Sequence, residues 1–304
     1  MSERCENRLR ARKSVTPGRR GARRFQPAVG GVERLESRAL LHGGPVVGHV
    51  TAVVHRTPPP PADPTAALQQ ALAASYNSSP GNVLEVQSRD ASILVPTGLV
   101  PGHTYPLVAT FSWDGSPITE FQAWWNLAKQ NGWIVYASKD YQNSVLRSGL
   151  ASSDNVASRV KAQLDALPGV LPIDTSRIIF TGFSGGANYA DFMNLRYPGY
   201  AAAVIINSGQ IPAQLFSKAP RHGFLTFPTA SSFAGSREIG VFLCSPADGQ
   251  FYGISQANAK EMQSLGWSTV FLSFPGGHSI APPATYDKAI AFIESQPSWT
   301  AANP

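Results

Sequence analysis

The feature that most restricts the fold of this chain is an alternation, beginning at Val83, of short apolar runs and longer amphipathic stretches. The short runs predict strands, which are VLEVQSR, SILVP, PLVATFSW, GWIVYAS, RIIFTGF, AAAVIIN, GVFLCS and STVFLSF. The longer stretches predict helices over about 118–130, 153–167, 185–197, 255–265 and 284–295. Strands separated by helices need crossover connections, so the pattern predicts a three-layer α/β domain. Its sheet is mostly parallel and covered by helices on both faces, after an antiparallel first pair.

The positive charge of the chain is concentrated in its first 40 residues. They hold 11 Lys and Arg, ten of them Arg, against 4 Asp and Glu, a net charge of +7. The rest of the chain holds the other 14 basic and 15 acidic residues, a net charge of −1. Because nucleic-acid binding needs a concentrated basic face, the predicted domain is not expected to bind nucleic acid.

Residues 1–44 are interpreted as a basic export leader. The segment VERLESRALL resembles the leader of many exported proteins of planctomycete bacteria, in which an Arg-rich stretch precedes a Leu-Glu-x-Arg-x-Leu-Leu element. The matching residues are Leu35, Glu36, Arg38, Leu40 and Leu41. The resemblance implies a secreted or cell-envelope protein. The alternative is a disordered basic tail with a short amphipathic helix.

Residues 45–82 are rich in Pro, Ala, Ser and Thr, and four consecutive prolines occur in RTPPPPADP. Prolines cannot enter a helix interior or a central strand, so this segment is predicted to be a spacer. A short helix over Thr65–Ala74, capped by Asp63, is an option within it. The folded α/β domain is expected over residues 83–304. No apolar stretch reaches the roughly 20 residues of a membrane-spanning helix.

Two cysteines occur, Cys5 in the leader and Cys244 in the apolar run VFLC. A disulfide between them would tie a leader to a core strand, and we expect none. Cys244 is interpreted as a small buried hydrophobic residue in preference to a reactive thiol.

Ser184 lies in the sequence TGFSGGAN, directly after the predicted strand RIIFTGF and before a predicted helix. A serine held in a tight strand-to-helix turn has its side chain pushed out of the sheet, and only small neighbours fit around it. Gly182, Gly185 and Gly186 meet that steric need. The pattern predicts that Ser184 is a nucleophile, and the alternative is an ordinary helix N-cap.

Asp248 and His278 follow two other predicted strands, GVFLCS and STVFLSF. The carboxyl ends of parallel strands meet at one edge of a sheet, so we expect Ser184, Asp248 and His278 to lie close together. A serine hydroxyl needs a base near neutral pH, and an imidazole oriented by a carboxylate supplies one. The alternatives are a turn aspartate in PADG and an exposed loop histidine.

Several stretches between Val83 and Ser295 resemble the α/β-hydrolase superfamily, and within it secreted feruloyl esterases and polyhydroxybutyrate depolymerase-like enzymes. They are ILVPTGLVPGHTYPLVATF, IDTSRIIFTGFSGGANYA, the turn at Asp248, and PGGH. The resemblance implies an acyl-enzyme on Ser184 and no metal or organic cofactor. It also implies that Gly185 supplies one backbone N–H to an oxyanion hole.

The chain departs from these families after the third predicted strand. It reads Ser112-Trp113-Asp114-Gly115-Ser116 where they usually read His-Gly-x-x-Gly. Trp113 can still supply the second oxyanion N–H from its backbone and narrow the substrate site, or it can simply pack in the core. Asp114 either points away or accepts a substrate hydroxyl, and it is the rival to Asp248. Phe183 is a further predicted substrate-binding residue.

The leading functional hypothesis is a serine esterase acting on a small-molecule or polysaccharide-linked ester. A peptidase is a weaker hypothesis, and a non-catalytic surface or binding protein that keeps the hydrolase fold is the third. Residues 209–239 form a long connection with four phenylalanines, which is either an aromatic pocket wall or an excursion with its own core. The sequence predicts neither the ester nor the oligomeric state.

Overall fold

The computed structural model describes residues 64–112, 118–140, 150–209 and 238–300, with side chains described except at 118–122 and 150–154. The predicted leader, Asp63, Trp113, Asp114 and most of the 209–239 connection lie outside the described residues. All described residues belong to one compact unit.

Within the described part of the chain, eight strands form one sheet, in the order β1-β2-β4-β3-β5-β6-β7-β8. β1 and β2 are antiparallel, as are β2 and β4, and all the remaining neighbours are parallel. The strands are β1 Val83–Gln87, β2 Ala91–Pro96, β3 Tyr105–Phe111, β4 Ile134–Ser138, β5 Ile173–Phe183, β6 Ala203–Asn207, β7 Ile239–Cys244 and β8 Ser268–Ser273. The predicted three-layer α/β architecture with an antiparallel first pair is confirmed.

Helices cover both faces of the sheet. In the described residues they are α1 Pro64–Tyr76, α2 Ile118–Asn131, α3 Leu150–Ala166, α4 Gly185–Arg196, α5 Tyr252–Ser264, α6 Pro283–Glu294 and α7 Pro297–Thr300, with a 3₁₀ turn at Leu167–Gly169. One face packs on α1, α3, α4 and α5, and the other on α2, α6 and α7. No helix among the described residues has the length and apolar character needed to cross a membrane.

The strand residues divide between these two faces with the period of two that a pleated strand imposes. In β3, Leu107, Ala109 and Phe111 contribute to one core cluster and Val108 to the other. Because both faces are covered, the buried parts of the central strands are mostly apolar, which is why their sequences contain continuous hydrophobic runs.

α1 corrects the predicted boundary between spacer and domain. Leu68 and Ala71 of this helix are buried in the core, and the Ser75 hydroxyl donates to the carbonyl oxygen of Pro96 at the end of β2. The packed domain therefore includes residues 64–82, which the proline-rich composition had assigned to the spacer. The Ala- and Leu-rich turns of α1 supply the apolar surface that covers the first strands.

β5 is longer than predicted, since it begins at Ile173 and not at Arg177. The pairing of β5 with β3 shifts register between Tyr105 and Leu107, and Ile173 pairs with Tyr105 on the far side of that irregularity. A bulge of this kind breaks the alternation of apolar residues, so the sequence pattern does not reveal the first residues of the strand. α7 was not predicted, because it is a single turn that follows α6 directly.

Candidate functional site

Ser184 occupies the tight turn between the end of β5 and the start of α4. Its backbone has φ 54° and ψ −118°, a conformation that residues with a side chain rarely adopt. The Ser184 N–H donates to the carbonyl oxygen of Asn207 at 2.9 Å, and its carbonyl oxygen accepts from the N–H of Asn188 at 3.0 Å. These two bonds hold the strained turn between the sheet and the helix.

Two of the flanking glycines are required by close backbone approach. A Cβ added at Gly186 would lie 1.8 Å from the carbonyl oxygen of Phe111, and one at Gly182 would lie 2.4 Å from the carbonyl carbon of Gly186. No side chain fits at either position without moving backbone atoms. The glycines therefore allow α4 to begin directly against the end of β3.

His278 joins Ser184 to Asp248 through two hydrogen bonds. Its Nε2 lies 2.8 Å from the Ser184 Oγ, and its Nδ1 lies 2.8 Å from the Asp248 Oδ2. A carboxylate only accepts hydrogen bonds, so Nδ1 donates to it and the Nε2 lone pair is left to accept the Ser184 proton. The His278 side chain is 40% exposed and the Asp248 side chain 3% exposed, so the hydrogen-bonded series runs from the interior to the surface.

Two aromatic rings lie against the imidazole of His278. The ring of Phe251 is stacked on it with centroids 5.0 Å apart and an interplanar angle of 21°, and the ring of Phe183 lies at 4.8 Å and 39°. Phe183 is only 6% exposed. Both rings limit the rotation of the imidazole, and their π-faces interact favourably with the imidazolium that forms when it accepts a proton.

The turn after β7 holds Asp248 rigidly. The Asp248 N–H donates to the carbonyl oxygen of Ser245 at 2.9 Å, and its own Oδ1 accepts from the N–H of Phe251 at 3.4 Å. The Sγ of Cys244 lies 3.8 Å from Asp248 Oδ2, and burial raises the pKa of that thiol. Cys244 is therefore a neutral, buried neighbour of the carboxylate, as its interpretation as a buried hydrophobic residue predicts.

The structure brings together three of the predicted site residues, Ser184, Asp248 and His278. Gly185 is the first residue of α4, at the positive end of the helix dipole. Phe183 lies next to them, but its ring contacts His278, and a contact with substrate stays a prediction. Trp113 and Asp114 lie outside the described residues, and their predicted roles stay untested.

Sequence reasoning missed two residues at this site, Phe251 and Asn207. Phe251 follows Asp248 by three residues, and its ring position depends on a turn whose conformation the sequence does not state. Asn207 is a polar residue closing the apolar strand AAAVIIN, one strand away from Ser184, and that contrast was a usable signal.

The fold is shared with solved structures of low sequence identity. One is the CE1 ferulic acid esterase AmCE1/Fae1A from Anaeromyces mucronatus, 13% identical, with a TM-score of 0.52 over 75% of this chain and 96% of that chain. Another is FphF, a fluorophosphonate-binding serine hydrolase from Staphylococcus aureus, 14% identical, with a TM-score of 0.51 over 74% of this chain and 100% of that chain. This chain has the α/β-hydrolase fold.

The same α/β-hydrolase fold relates the chain to part of a larger protein. A Bacteroides ovatus protein provisionally assigned as a dipeptidyl aminopeptidase IV is 12% identical, with a TM-score of 0.52 over 71% of this chain and 35% of that chain. No protein-family model matches the sequence. No curated protein sequence matches it either.

Proposed function

We propose that this protein is a serine hydrolase that cleaves carboxylic esters, with Ser184 as the nucleophile, His278 as the general base and Asp248 as the orienting carboxylate. The observation that carries the proposal is the pair of 2.8 Å contacts that join Ser184 Oγ, His278 and Asp248 Oδ2. The strained backbone of Ser184 supports it, because such strain is kept mainly where function needs it.

In the first half of the reaction, Ser184 Oγ attacks the ester carbonyl carbon as its proton passes to His278 Nε2. The new C–O bond places a negative charge on the former carbonyl oxygen. Asp248 stabilises the imidazolium that forms and keeps its Nδ1–H directed at the carboxylate. When the tetrahedral intermediate collapses, the C–O bond to the alcohol breaks and the alcohol leaves with the proton from Nε2.

In the second half, a water molecule attacks the acyl carbon and gives its proton to His278 Nε2. The bond to Ser184 Oγ then breaks, Oγ recovers the proton, and the carboxylic acid leaves. The proposed oxyanion donors are the N–H of Gly185, at the positive end of α4, and the N–H of Trp113. Neither metal nor organic cofactor has a role in this scheme.

The proposed substrate is a small-molecule or polysaccharide-linked ester. Similarity in fold to a ferulic acid esterase supports an ester, while the provisionally assigned aminopeptidase keeps a peptide substrate as the competing hypothesis. The export leader resemblance supports action in a secreted or cell-envelope location. Because Ser112-Trp113-Asp114-Gly115-Ser116 stands where these families usually have His-Gly-x-x-Gly, a non-catalytic binding protein with this fold is the remaining alternative.

The decisive experiment combines covalent labelling with a substrate panel. A fluorophosphonate probe should label the wild-type protein and fail to label Ser184→Ala, while Ser264→Ala, at the exposed end of α5, should label like the wild type. On p-nitrophenyl acetate, Ser184→Ala should lower kcat by about 10⁴- to 10⁶-fold with an unchanged thermal midpoint.

The panel then separates the substrate classes. It includes methyl hydroxycinnamates, acetylated sugars and dipeptidyl p-nitroanilides, and we expect turnover of esters and none of the anilides. Efficient anilide cleavage would favour the peptidase hypothesis. Full labelling and turnover by Ser184→Ala would overturn the hydrolase proposal, and an unreactive wild-type protein would favour the binding protein.

A further inference from the structure

Asn207 is a fully buried amide at the carboxyl end of β6, the strand between β5 and β7. The other residues of β6 are apolar, because the strand is covered on both faces. Burying an amide in such a place costs free energy unless its hydrogen bonds are satisfied. The partners that satisfy Asn207 therefore indicate what it holds in place.

The backbone of Asn207 supports the turn that carries Ser184. Its carbonyl oxygen accepts the Ser184 N–H at 2.9 Å. Ser184 has a left-handed φ, so this bond helps to keep the strained turn in the conformation that presents Oγ to His278. The backbone of Asn207 is thus fixed relative to Ser184.

The side chain of Asn207 supports the segment that follows His278. Its Oδ1 accepts the N–H of Ala281 at 2.7 Å and the O–H of Tyr286 at 3.3 Å. Its Nδ2 donates to the carbonyl oxygen of Ser279 at 3.4 Å and to the Ser208 Oγ at 3.1 Å. The Ala281 N–H needs an acceptor and the Ser279 carbonyl needs a donor, so these partners fix the orientation of the amide.

His278 lies in an irregular segment between β8 and α6, where no ladder of strand or helix bonds fixes it. Side-chain bonds hold this segment on both sides of the imidazole. Before His278, the Ser245 hydroxyl donates to the carbonyl oxygen of Gly276, and after it, Asn207 binds Ser279 and Ala281. Asn207 alone of these groups is bonded both to this segment and to Ser184.

We propose that Asn207 is a positioning residue that sets the distance between His278 Nε2 and Ser184 Oγ, an inference that rests on the proposed function. It touches neither reacting atom and acts through the two segments that carry them. Proton transfer needs Nε2 within hydrogen-bond reach of Oγ, and a displacement of about 1 Å can lower the rate about 10²-fold.

Two variants of different severity test the proposal. Asn207→Leu keeps the approximate volume and removes every side-chain bond, and Asn207→Asp keeps the acceptor for Ala281 but places an oxygen against the Ser279 carbonyl. We expect kcat for p-nitrophenyl acetate to fall about 10²-fold in Asn207→Leu and about tenfold or more in Asn207→Asp, with KM within about twofold.

Tyr286→Phe is the matched control, because it removes one bond to Asn207 and leaves both bonds to the His278 segment. Its kcat should stay within about twofold of the wild-type value. An equal loss in Tyr286→Phe would overturn the proposal, since Asn207 would then act through α6. If neither Asn207 variant folds, Asn207 is a general folding residue and the proposal fails.

A double-mutant cycle separates positioning from a general structural role. When Asn207 acts through His278, adding Asn207→Leu to His278→Ala should change the residual rate by less than about twofold. A further 10²-fold loss in that background would refute the positioning role. Activity retained by Ser184→Ala would instead refute the proposed function, so the two failures are distinguishable.

Discussion

Asp248 and Asp174 are both buried carboxylates paired with a basic side chain, but they lie at opposite edges of one sheet. Asp174 is near the amino end of β5 and is bonded to Arg177, three residues away, with its Oδ2 2.5 Å from the Arg177 Nε. Asp248 follows the carboxyl end of β7, and its partner His278 is 30 residues away. Asp174 completes its bonds within one short stretch of chain, whereas Asp248 depends on the assembly of separate strands.

The two carboxylates differ in what their hydrogen bonds connect. At the amino ends of the strands, the Asp174 carboxylate accepts hydrogen bonds from Ser176 and Arg177, both within three residues of it. At the carboxyl edge, the carboxylate orients an imidazole that reaches a serine on a third strand. We therefore expect changes at Asp174 to affect stability and changes at Asp248 to affect turnover.

Of the changes that compare these two carboxylates, Asp248→Asn has the largest expected effect, since it keeps the shape of the side chain and removes its charge. The imidazolium loses its stabilising partner and the tautomer of His278 is no longer fixed, so kcat should fall by about 10²- to 10⁴-fold near neutral pH with little change in KM. Steady-state kinetics on p-nitrophenyl acetate measure both constants.

Asp114→Asn is the matched comparison for that variant, because Asp114 was the rival acid in the sequence. It should retain most of the activity. A nearly silent Asp248→Asn beside an inactive Asp114→Asn would move the orienting carboxylate to the segment after β3 and would contradict the assignment made here.

A smaller effect is expected from Phe251→Leu. The lost ring is stacked on the imidazole, and an exposed cation–π contact contributes about 0.5–1 kcal/mol, so kcat/KM should fall about two- to fivefold. Ile254→Ala, on an exposed residue in the first turn of α5, just after Phe251, is the control and should match the wild type. Equal rates in Phe251→Leu and the wild type would show that the ring adds nothing to the site.

The smallest effect on activity is expected from Asp174→Asn, which should leave kcat unchanged and lower the free energy of unfolding by about 1–2 kcal/mol at pH 7. Burial alone would raise the pKa of Asp174, but hydrogen bonds from Ser176 and Arg177 outweigh it and hold the pKa below its ordinary value. Because the folded-state pKa is depressed, the stabilisation is present above pH about 4 and is lost as the pH falls through the folded-state pKa.

Urea unfolding of the wild type and of Asp174→Asn between neutral and acid pH measures this dependence. The difference between their free energies of unfolding should shrink in acid. Asp165→Asn, which breaks the exposed pair with Lys161, is the control and should cost no more than about 0.5 kcal/mol. A wild-type advantage that persists unchanged in strong acid would show that charge at Asp174 is not its source.

The sequence predicts Ser184, Asp248 and His278 because each follows a strand, and parallel strands bring their carboxyl ends to one edge. It does not predict the distances, since these depend on β6 lying between β5 and β7 and on the turn at Asp248. The same limit explains why Phe251 was missed, because its ring position follows from the backbone of that turn. α1 was placed in the spacer because the nearby prolines dominate the composition, while its burial depends on contacts with β2.

The separation of 94 positions between Ser184 and His278 in the sequence also matters during synthesis. A ribosome adds about 5–20 residues per second, so the serine is incorporated about 5–20 seconds before the histidine that is its base. Throughout that interval the nascent chain carries an ordinary alcohol in place of a nucleophile. The order of the strands thus delays any reactivity of the serine until His278 has been translated.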